Sequence, residues 1–212
     1  QQELLDLALK TGCKKIVGTG SQSEYGDFNE KIDEEYPVNP KTAYAAVKAA
    51  SLTIMRSFCE INNIDWYWFR LFPLFGPHEA DKWLIPSLIR SISNDTHMDL
   101  TSGEQKLAYL YVGECAKAIE MAIYADNKSG VYNICSDNPT SLKELVTNIR
   151  DRINPDFKLN FGSLPYRYGQ CMYMEGDTTK LRDNIYNLNT SDFEVQLDNT
   201  IKYYLKRYDN EK

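Results

Sequence analysis

Tyr44 and Lys48 are the side chains in this sequence whose types and spacing best suit proton transfer. They lie at the two ends of the segment Tyr44-Ala45-Ala46-Val47-Lys48, and on a helix this separation places both groups on one face. A tyrosine is a poor base at neutral pH because it normally ionises at about pH 10. An adjacent ammonium favours the phenolate, so the pair makes a plausible acid/base unit.

Ser21 is a third polar group that could hydrogen-bond the same substrate oxygen. It lies in the polar segment from Gly18 to Gly26, directly after the short apolar pair Ile16-Val17. A Tyr-x-x-x-Lys spacing alone occurs by chance in many helices, and a serine in a loop is often no more than a loop hydroxyl. The elements around these residues therefore decide whether the pattern is informative.

The chain predicts helices and strands in alternation. Helically spaced leucines end at Thr11-Gly12, Ile16-Val17 forms the core of a strand, and an Ala-rich helix covers Ala43 to Asn62. A strand dense in aromatic residues follows from Ile64 to Leu71. Helix followed by strand, twice over, is typical of a doubly wound parallel sheet, so we predict an α/β fold.

After Pro77 the predicted helices and strands no longer alternate regularly. Further helices are predicted over Trp83 to Ile92, Glu114 to Tyr124, Thr140 to Ile153 and Leu197 to Leu205, and further strands over Met98 to Thr101 and Val131 to Cys135. Ser141 lies three residues before Glu144, which is the spacing of a capping box. The segment from Pro155 to Gly176 is predicted to be irregular.

Composition argues against several classes of function. The 212 residues are 42% hydrophobic and 25% charged, which suffices for a globular core, and no apolar run is long enough for a membrane span. A formal net charge of −6 argues against a nucleic-acid surface. Five cysteines without a Cys-x-x-Cys pair, and two histidines, argue against a metal site. We therefore expect a reduced, cytoplasmic protein without membrane, nucleic-acid or metal partners.

The order of the motifs resembles that of the extended short-chain dehydrogenase/reductases, which are nucleotide-sugar epimerases, dehydratases and ketoreductases. Gly-x-Gly-Ser-x-Ser-x-Tyr-Gly and Tyr-x-x-x-Lys are followed, in the family's order, by segments over Phe69 to Pro77, Trp83 to Pro86, Gly103 to Val112 and Gly130 to Ile134. The resemblance implies a Rossmann-like fold. Residues 1–72 and 112–136 would form the carboxy-terminal part of a dinucleotide-binding domain, and residues 73–111 and 137–212 a smaller substrate-binding lobe.

The resemblance also implies roles for individual residues. Tyr44 would be the catalytic acid/base, and Lys48 would hold the nicotinamide ribose and support the tyrosine. Ser21 would bind the reacting oxygen, with Ser23 a weaker candidate. The other implied contacts are Phe72 and Pro73 with the nicotinamide, and Arg167 with a substrate phosphate.

Each of these residues also has a structural interpretation. Both serines could be ordinary loop hydroxyls, and this is the favoured interpretation for Ser23. Phe72 and Pro73 could simply end a strand. For Arg167, a solvated surface arginine is as good an interpretation as a phosphate ligand.

The sequence departs from the family pattern at several positions. Leu107 and Ala108 stand where the family commonly has Arg and Asp, so one phosphate contact would be missing or supplied elsewhere. Pro73 replaces an Asn found in many relatives. The family's dehydratases typically carry Thr-Asp-Glu where this chain has Ser21-Gln22-Ser23, and Glu24 would turn away from the site in an extended segment. These differences disfavour a 4,6-dehydratase.

No glycine fingerprint of the form G-x-G-x-x-G follows a strand in this sequence. In the family, this fingerprint places the cofactor pyrophosphate at a helix N-terminus and precedes the part that this chain resembles. We therefore interpret the chain as the carboxy-terminal part of a longer enzyme with a glycine-rich segment upstream. We expect the chain alone to show no turnover.

The function favoured by the resemblance is an NAD(P)-dependent nucleotide-sugar epimerase that works through hydride transfer at the sugar C4. A 4-ketoreductase or a 4,6-dehydratase is an alternative reaction, and a non-catalytic Rossmann-like binding protein is an alternative of another class. The sugar, the base and the choice of NAD or NADP stay open. The helix before Thr11 and the helix over Ala43 to Asn62 resemble the family's four-helix dimer seam, so we expect a homodimer.

Overall fold

The computed structural model describes residues 2–126 and 129–210. The first part of the chain forms α1 (Gln2–Lys10), β1 (Lys15–Ser21), β2 (Lys31–Ile32), α2 (Ala43–Asn62), β3 (Asp65–Leu71) and β4 (Leu74–Phe75). A short 3-10 turn, Gln22–Tyr25, follows β1.

The second part of the chain is built from short strands and from helices that pack on them. Its elements are α3 (Leu84–Ser93), β5 (Asp99–Leu100), β6 (Lys106–Leu107), β7 (Leu110–Tyr111), α4 (Val112–Tyr124), β8 (Gly130–Ile134), β9 (Thr140–Ser141), α5 (Leu142–Ile153), β10 (Asn160–Phe161), β11 (Tyr173–Gly176), α6 (Thr179–Asn184) and α7 (Phe193–Asn210).

β3 is the central strand of a parallel sheet with the order β1-β3-β8. Its last residue, Leu71, pairs with Ser21 at the end of β1 and with Ile134 at the end of β8. The carboxyl ends of the strands therefore lie side by side at one edge of the sheet. Together with the helices on its faces, this sheet confirms the predicted α/β, Rossmann-like fold class.

Side chains alternate across β3 and divide its aromatic residues between two layers. Trp66 and Trp68 pack against α2, whereas Tyr67 and Phe69 pack against α4. Helices thus cover both faces of the sheet, which explains why β3 is apolar over most of its length.

A second hydrophobic core lies between α3, α5 and α7, where Leu88, Val146 and Leu197 are fully buried. Beside it, short strands form a four-stranded sheet with the order β2-β11-β6-β9. Since β2 pairs with β11, a short segment of residues 1–72 joins a sheet built mainly from the other predicted domain. The division into two domains stays a prediction.

The helix predicted over Ala43 to Asn62 is confirmed, and so is the capping box at the start of α5. Ser141 Oγ accepts a hydrogen bond from the Glu144 backbone N–H at 3.1 Å, and Glu144 Oε2 accepts one from the Ser141 backbone N–H at 3.0 Å. The prediction that Pro155 to Gly176 is irregular is wrong in part: β10 and β11 form there by pairing with β5, β2 and β6, and the residues between them carry no helix or strand.

The prediction of a polar loop directly after Val17 is also wrong in part, because β1 continues through Ser21. Gly18 and Gly20 allow this by leaving room for Trp68. A Cβ added at Gly18 would lie 2.5 Å from Trp68 Cε3, and a Cβ at Gly20 would lie 2.2 Å from Trp68 Nε1. The Gly-x-Gly spacing therefore reflects the packing of two strands and not a phosphate loop.

A buried ion pair joins the turn after β1 to β3. Glu24 and Arg70 have side chains that are 0% and 3% exposed, and Arg70 Nε donates to Glu24 Oε2 at 2.9 Å. Glu24 Oε1 accepts hydrogen bonds from the Trp68 indole at 3.1 Å and from the Ser21 backbone N–H at 2.9 Å. The Arg70 guanidinium also lies 4.2 Å from the centre of the Tyr25 ring. Glu24 therefore fixes the end of β1 against β3.

We predict that Gly18→Ala destabilises the protein because the added methyl group collides with the Trp68 ring. Overpacking of this kind costs about 1–3 kcal/mol of unfolding free energy, measurable by urea denaturation followed by circular dichroism. Gly130→Ala is the control, since a Cβ there would meet nothing closer than 3.5 Å. Equal midpoints for the two variants would contradict the packing role of Gly18.

We predict a larger loss of stability for Glu24→Ala, because this substitution leaves the Arg70 guanidinium buried without its partner. Removing one member of a buried pair costs about 3–5 kcal/mol. Glu120→Ala, which breaks an exposed ion pair with Lys117, serves as the control and should change stability far less. The same denaturation measurement checks both variants, and equal losses would argue against a structural role of the buried pair.

Candidate active site

A cavity of about 690 Å³ lies at the carboxyl ends of β1 and β3. It is lined by the end of β1 and the turn that follows, the first turn of α2, residues 71–74, the start of α3 and the segment between β6 and β7. Ligand sites commonly have volumes of about 300–1,000 Å³, and open parallel sheets bind ligands at the carboxyl ends of their strands. The position and size of this cavity therefore fit a substrate site.

Most of the site residues predicted from the sequence meet at this cavity. Ser21, Ser23, Tyr44, Phe72 and Pro73 all line it. The sheet register explains part of this arrangement, because Ser21 ends β1 beside the end of β3 and Phe72 follows that end directly. Tyr44 comes from a different element, the first turn of α2.

Ser21 is buried and held by the turn that follows it. Its Oγ accepts hydrogen bonds from the Ser23 backbone N–H at 3.2 Å and from the Ser23 hydroxyl at 2.9 Å. Its own backbone N–H is bound by Glu24. Because both side-chain contacts use Ser21 Oγ as the acceptor, the Ser21 hydroxyl can still donate to another group.

Tyr44 and Lys48 lie one turn apart on α2, as the spacing predicted. Thr42 caps this helix by accepting a hydrogen bond from the Ala45 backbone N–H at 3.2 Å. Lys48 Nζ lies 5.9 Å from the centre of the Tyr44 ring and donates to the Thr19 carbonyl at 2.7 Å. The ammonium is therefore anchored to β1 at the edge of cation–π range from Tyr44.

Arg167 is not brought to the cavity. It is exposed in a turn after β10, where its carbonyl accepts a hydrogen bond from the Gln170 backbone N–H at 3.0 Å. Its predicted contact with a substrate phosphate stays a prediction. Leu107, which stands where the family commonly has Arg, does line the cavity and makes that wall apolar.

Glu24 lies outside the cavity, as the sequence predicted, but the condition of that prediction, an extended segment, is not met. The segment Gln22–Tyr25 is a 3-10 turn and not extended, so the Glu24 carboxylate points inward to Arg70 and does not line the cavity. The available signal was Arg70 itself, since an arginine inside an apolar strand needs a buried counter-charge.

Glu79 is a cavity residue that the sequence analysis did not identify. Burial raises the pKa of this carboxyl to about 7. The neighbouring Tyr109 also lines the cavity, and its pKa is raised to about 12 by burial and, to a smaller extent, by the Glu79 charge. Tyr109 is therefore protonated at neutral pH and unsuited to act as a base. No local motif marks Glu79, which lies in an irregular segment between β4 and α3.

Residues 2–126 and 129–210 contain neither a clustered metal site nor a membrane-spanning helix. Within these ranges, no group of three or more His, Cys, Asp or Glu side chains is arranged to hold a metal ion. No helix in the same ranges has the length and apolar character needed to cross a bilayer.

Several known proteins resemble this chain in sequence and in fold. The model of the NAD dependent epimerase/dehydratase family matches residues 1–135. The low-salt glycan biosynthesis protein Agl12 of Haloferax volcanii is 26% identical over 207 residues, which cover 96% of this chain and 66% of that protein. The dTDP-glucose 4,6-dehydratase of Streptomyces niveus is 25% identical over 186 residues, which cover 87% of this chain and 55% of that protein.

A solved structure agrees with the sequence matches. The UDP-N-acetylglucosamine 4-epimerase from Methanobrevibacter ruminantium M1, in complex with UDP-N-acetylmuramic acid, superposes with a TM-score of 0.90 at 26% identity. The match covers 97% of this chain and 67% of that one. This chain spans about half to two thirds of the length of its curated relatives. The family model, the fold and the order of the motifs agree, and the chain belongs to the NAD-dependent epimerase/dehydratase family.

Proposed function

We propose that this chain forms part of an NAD(P)-dependent epimerase that acts on a nucleotide-activated sugar through hydride transfer at the sugar C4. The observation that carries the proposal is that Ser21 and Tyr44 line one cavity, with Lys48 one helical turn from Tyr44. Together these side chains supply what is needed to move the proton of a sugar hydroxyl.

In the proposed reaction, Tyr44 removes the proton of the C4 hydroxyl and later returns it. Ser21 donates a hydrogen bond to the same oxygen and so fixes it against Tyr44. Lys48, anchored at the Thr19 carbonyl, holds its positive charge 5.9 Å from the centre of the phenol ring.

The described residues fit the nicotinamide end of the cofactor. Phe72 and Pro73 offer an apolar surface beside Ser21. The Lys48 ammonium carries three N–H groups, of which one is used at Thr19, so the others can reach ribose hydroxyls. The nicotinamide, when bound, accepts and returns the hydride. The relatives do not decide between NAD and NADP for this chain.

Other reactions of the family differ in what else they require. A 4-ketoreductase needs the same Ser21, Tyr44 and Lys48, and it would consume reduced cofactor in proportion to product, whereas an epimerase regenerates its cofactor in each cycle. A 4,6-dehydratase is disfavoured, because residues 22 and 23 carry no carboxyl group and Glu24 is held by Arg70. A non-catalytic binding protein would need none of the three residues at the cavity.

We also propose that the protein is a homodimer with α1 and α2 at its interface. Val47, Ile54 and Ile61 recur on α2 at seven-residue intervals and are 64%, 47% and 79% exposed. Leu4 and Leu7 of α1, the helix beside α2, are also exposed. Residues at this spacing share one helix face, and an apolar face of this kind needs a covering surface.

We predict that Tyr44→Phe in the full-length enzyme lowers turnover by roughly 10²- to 10⁴-fold, because it removes the ionisable hydroxyl and keeps the ring. Lys48→Met should weaken both cofactor binding and turnover, and Ser21→Ala should cost less than either. Steady-state assays with nucleotide sugars measure these effects. Tyr124→Phe, at an exposed position on α4, is the control. Near-full activity of a folded Tyr44→Phe variant would refute the assignment.

We predict that Val47→Glu converts the dimer into a monomer, because it places a charge in the apolar face of α2. Light scattering coupled to size exclusion gives the mass of each form. Val195→Glu is the matched control, since Val195 is 60% exposed on α7 and outside the proposed interface. A monomeric mass for the unmodified protein at high concentration would count against the dimer.

A further inference from the structure

Glu79 brings a carboxyl group to a cavity wall that is otherwise largely apolar. The wall opposite the sheet is formed by Trp83, Leu84, Ile85 and Leu107. Glu79 is the acidic residue among the described residues that line the cavity. An ionisable group placed in such a wall costs free energy unless it has a partner, so its presence calls for an explanation.

The backbone at Glu79 is held in place by α7. The Tyr204 hydroxyl donates a hydrogen bond to the Glu79 carbonyl at 2.9 Å and approaches the Gly76 carbonyl at 3.2 Å. Tyr204 is itself fully buried in the core between α3, α5 and α7. The carboxyl group is therefore presented from a fixed support.

One carboxyl oxygen of Glu79, in contrast, lacks a hydrogen-bond partner among the described residues. This atom, Oε2, is buried. The Glu24 carboxylate shows the usual arrangement of a buried acid, with bonds from Arg70, Trp68 and the Ser21 backbone. A buried polar atom without a partner is rare in folded proteins and needs a specific reason.

The electrostatic setting of Glu79 agrees with a missing partner. Burial alone raises its pKa to about 7, with no neighbouring cation to oppose the effect. A hydrogen-bond donor of a ligand in the cavity, bound to the part of Glu79 that lines it, would stabilise the carboxylate.

We propose that Glu79 is a substrate-recognition residue whose carboxylate accepts a hydrogen bond from an O–H or N–H group of the sugar bound in this cavity. The inference rests on the proposed function, because it takes the ligand to be a nucleotide sugar. The sugar is the part recognised, since Ser21 and Tyr44 line the same cavity.

The test compares binding of a nucleotide sugar with binding of its nucleoside diphosphate, by isothermal titration of the full-length enzyme. Titration of the wild type with UDP-, dTDP-, GDP- and CDP-glucose first shows which nucleotide sugar binds. That sugar and its own nucleoside diphosphate are then used for the variants. A hydrogen bond to a charged group is worth about 10- to 100-fold in affinity. Glu79→Ala should therefore lower the affinity for the nucleotide sugar by about this factor and leave the affinity for the nucleoside diphosphate unchanged. Glu79→Gln, which keeps one acceptor oxygen, should recover part of the loss.

Glu34→Gln is the matched control, because Glu34 is also half-buried with a pKa raised by burial, and it lies outside this cavity. It should leave both affinities unchanged. Equal weakening of sugar and diphosphate binding by Glu79→Ala, or no weakening of either in a folded variant, would overturn the role of Glu79. A wild-type enzyme that binds none of the nucleotide sugars would instead overturn the proposed function, and with it this inference.

Discussion

The buried pair of Glu24 and Arg70 is the constraint on which the geometry of the site depends. Burying an arginine in the central strand of a sheet is costly unless its charge is paired, and the turn after β1 supplies the partner for Arg70 Nε, whereas Arg70 Nη1 is buried without a hydrogen-bond partner among the described residues. The same carboxylate binds the Ser21 backbone and the Trp68 indole. The pair therefore decides where β1 ends, and with it where the Ser21 hydroxyl lies.

The other groups proposed to handle the substrate proton are also positioned relative to β1. Lys48 reaches across from α2 to the Thr19 carbonyl, so the helix that carries Tyr44 is tied to the strand that carries Ser21. Packing of Trp68 against α2 gives the same two elements a shared core. The groups proposed to act on one oxygen are thus carried by a helix and a strand that pack against each other, which gives more precise geometry than a loop would allow.

The two walls of the cavity differ in the kind of side chains that they carry. The sheet side carries Ser21 and Tyr44, whereas the opposite wall, from the segment before α3 and the segment between β6 and β7, is mainly apolar and carries Glu79. Family members named as epimerases and dehydratases share the fold at low identity. The proposed division between a wall for chemistry and a wall for recognition offers a physical reason why one fold can host several reactions.

The sequence by itself determined what depends on near neighbours in the chain. The bounds of α2 and the common face of Tyr44 and Lys48 follow from helical periodicity, the capping box follows from two nearby side chains, and the order of motifs identified the family.

Tertiary structure decided the rest. The pairing of Glu24 with Arg70 joins residues 46 positions apart, and β11 exists only because β2 and β6 flank it. The burial of Glu79 in the cavity wall likewise depends on residues far away in the chain. Local patterns could not reveal these features, because desolvation and ion pairing arise only when distant segments come into contact.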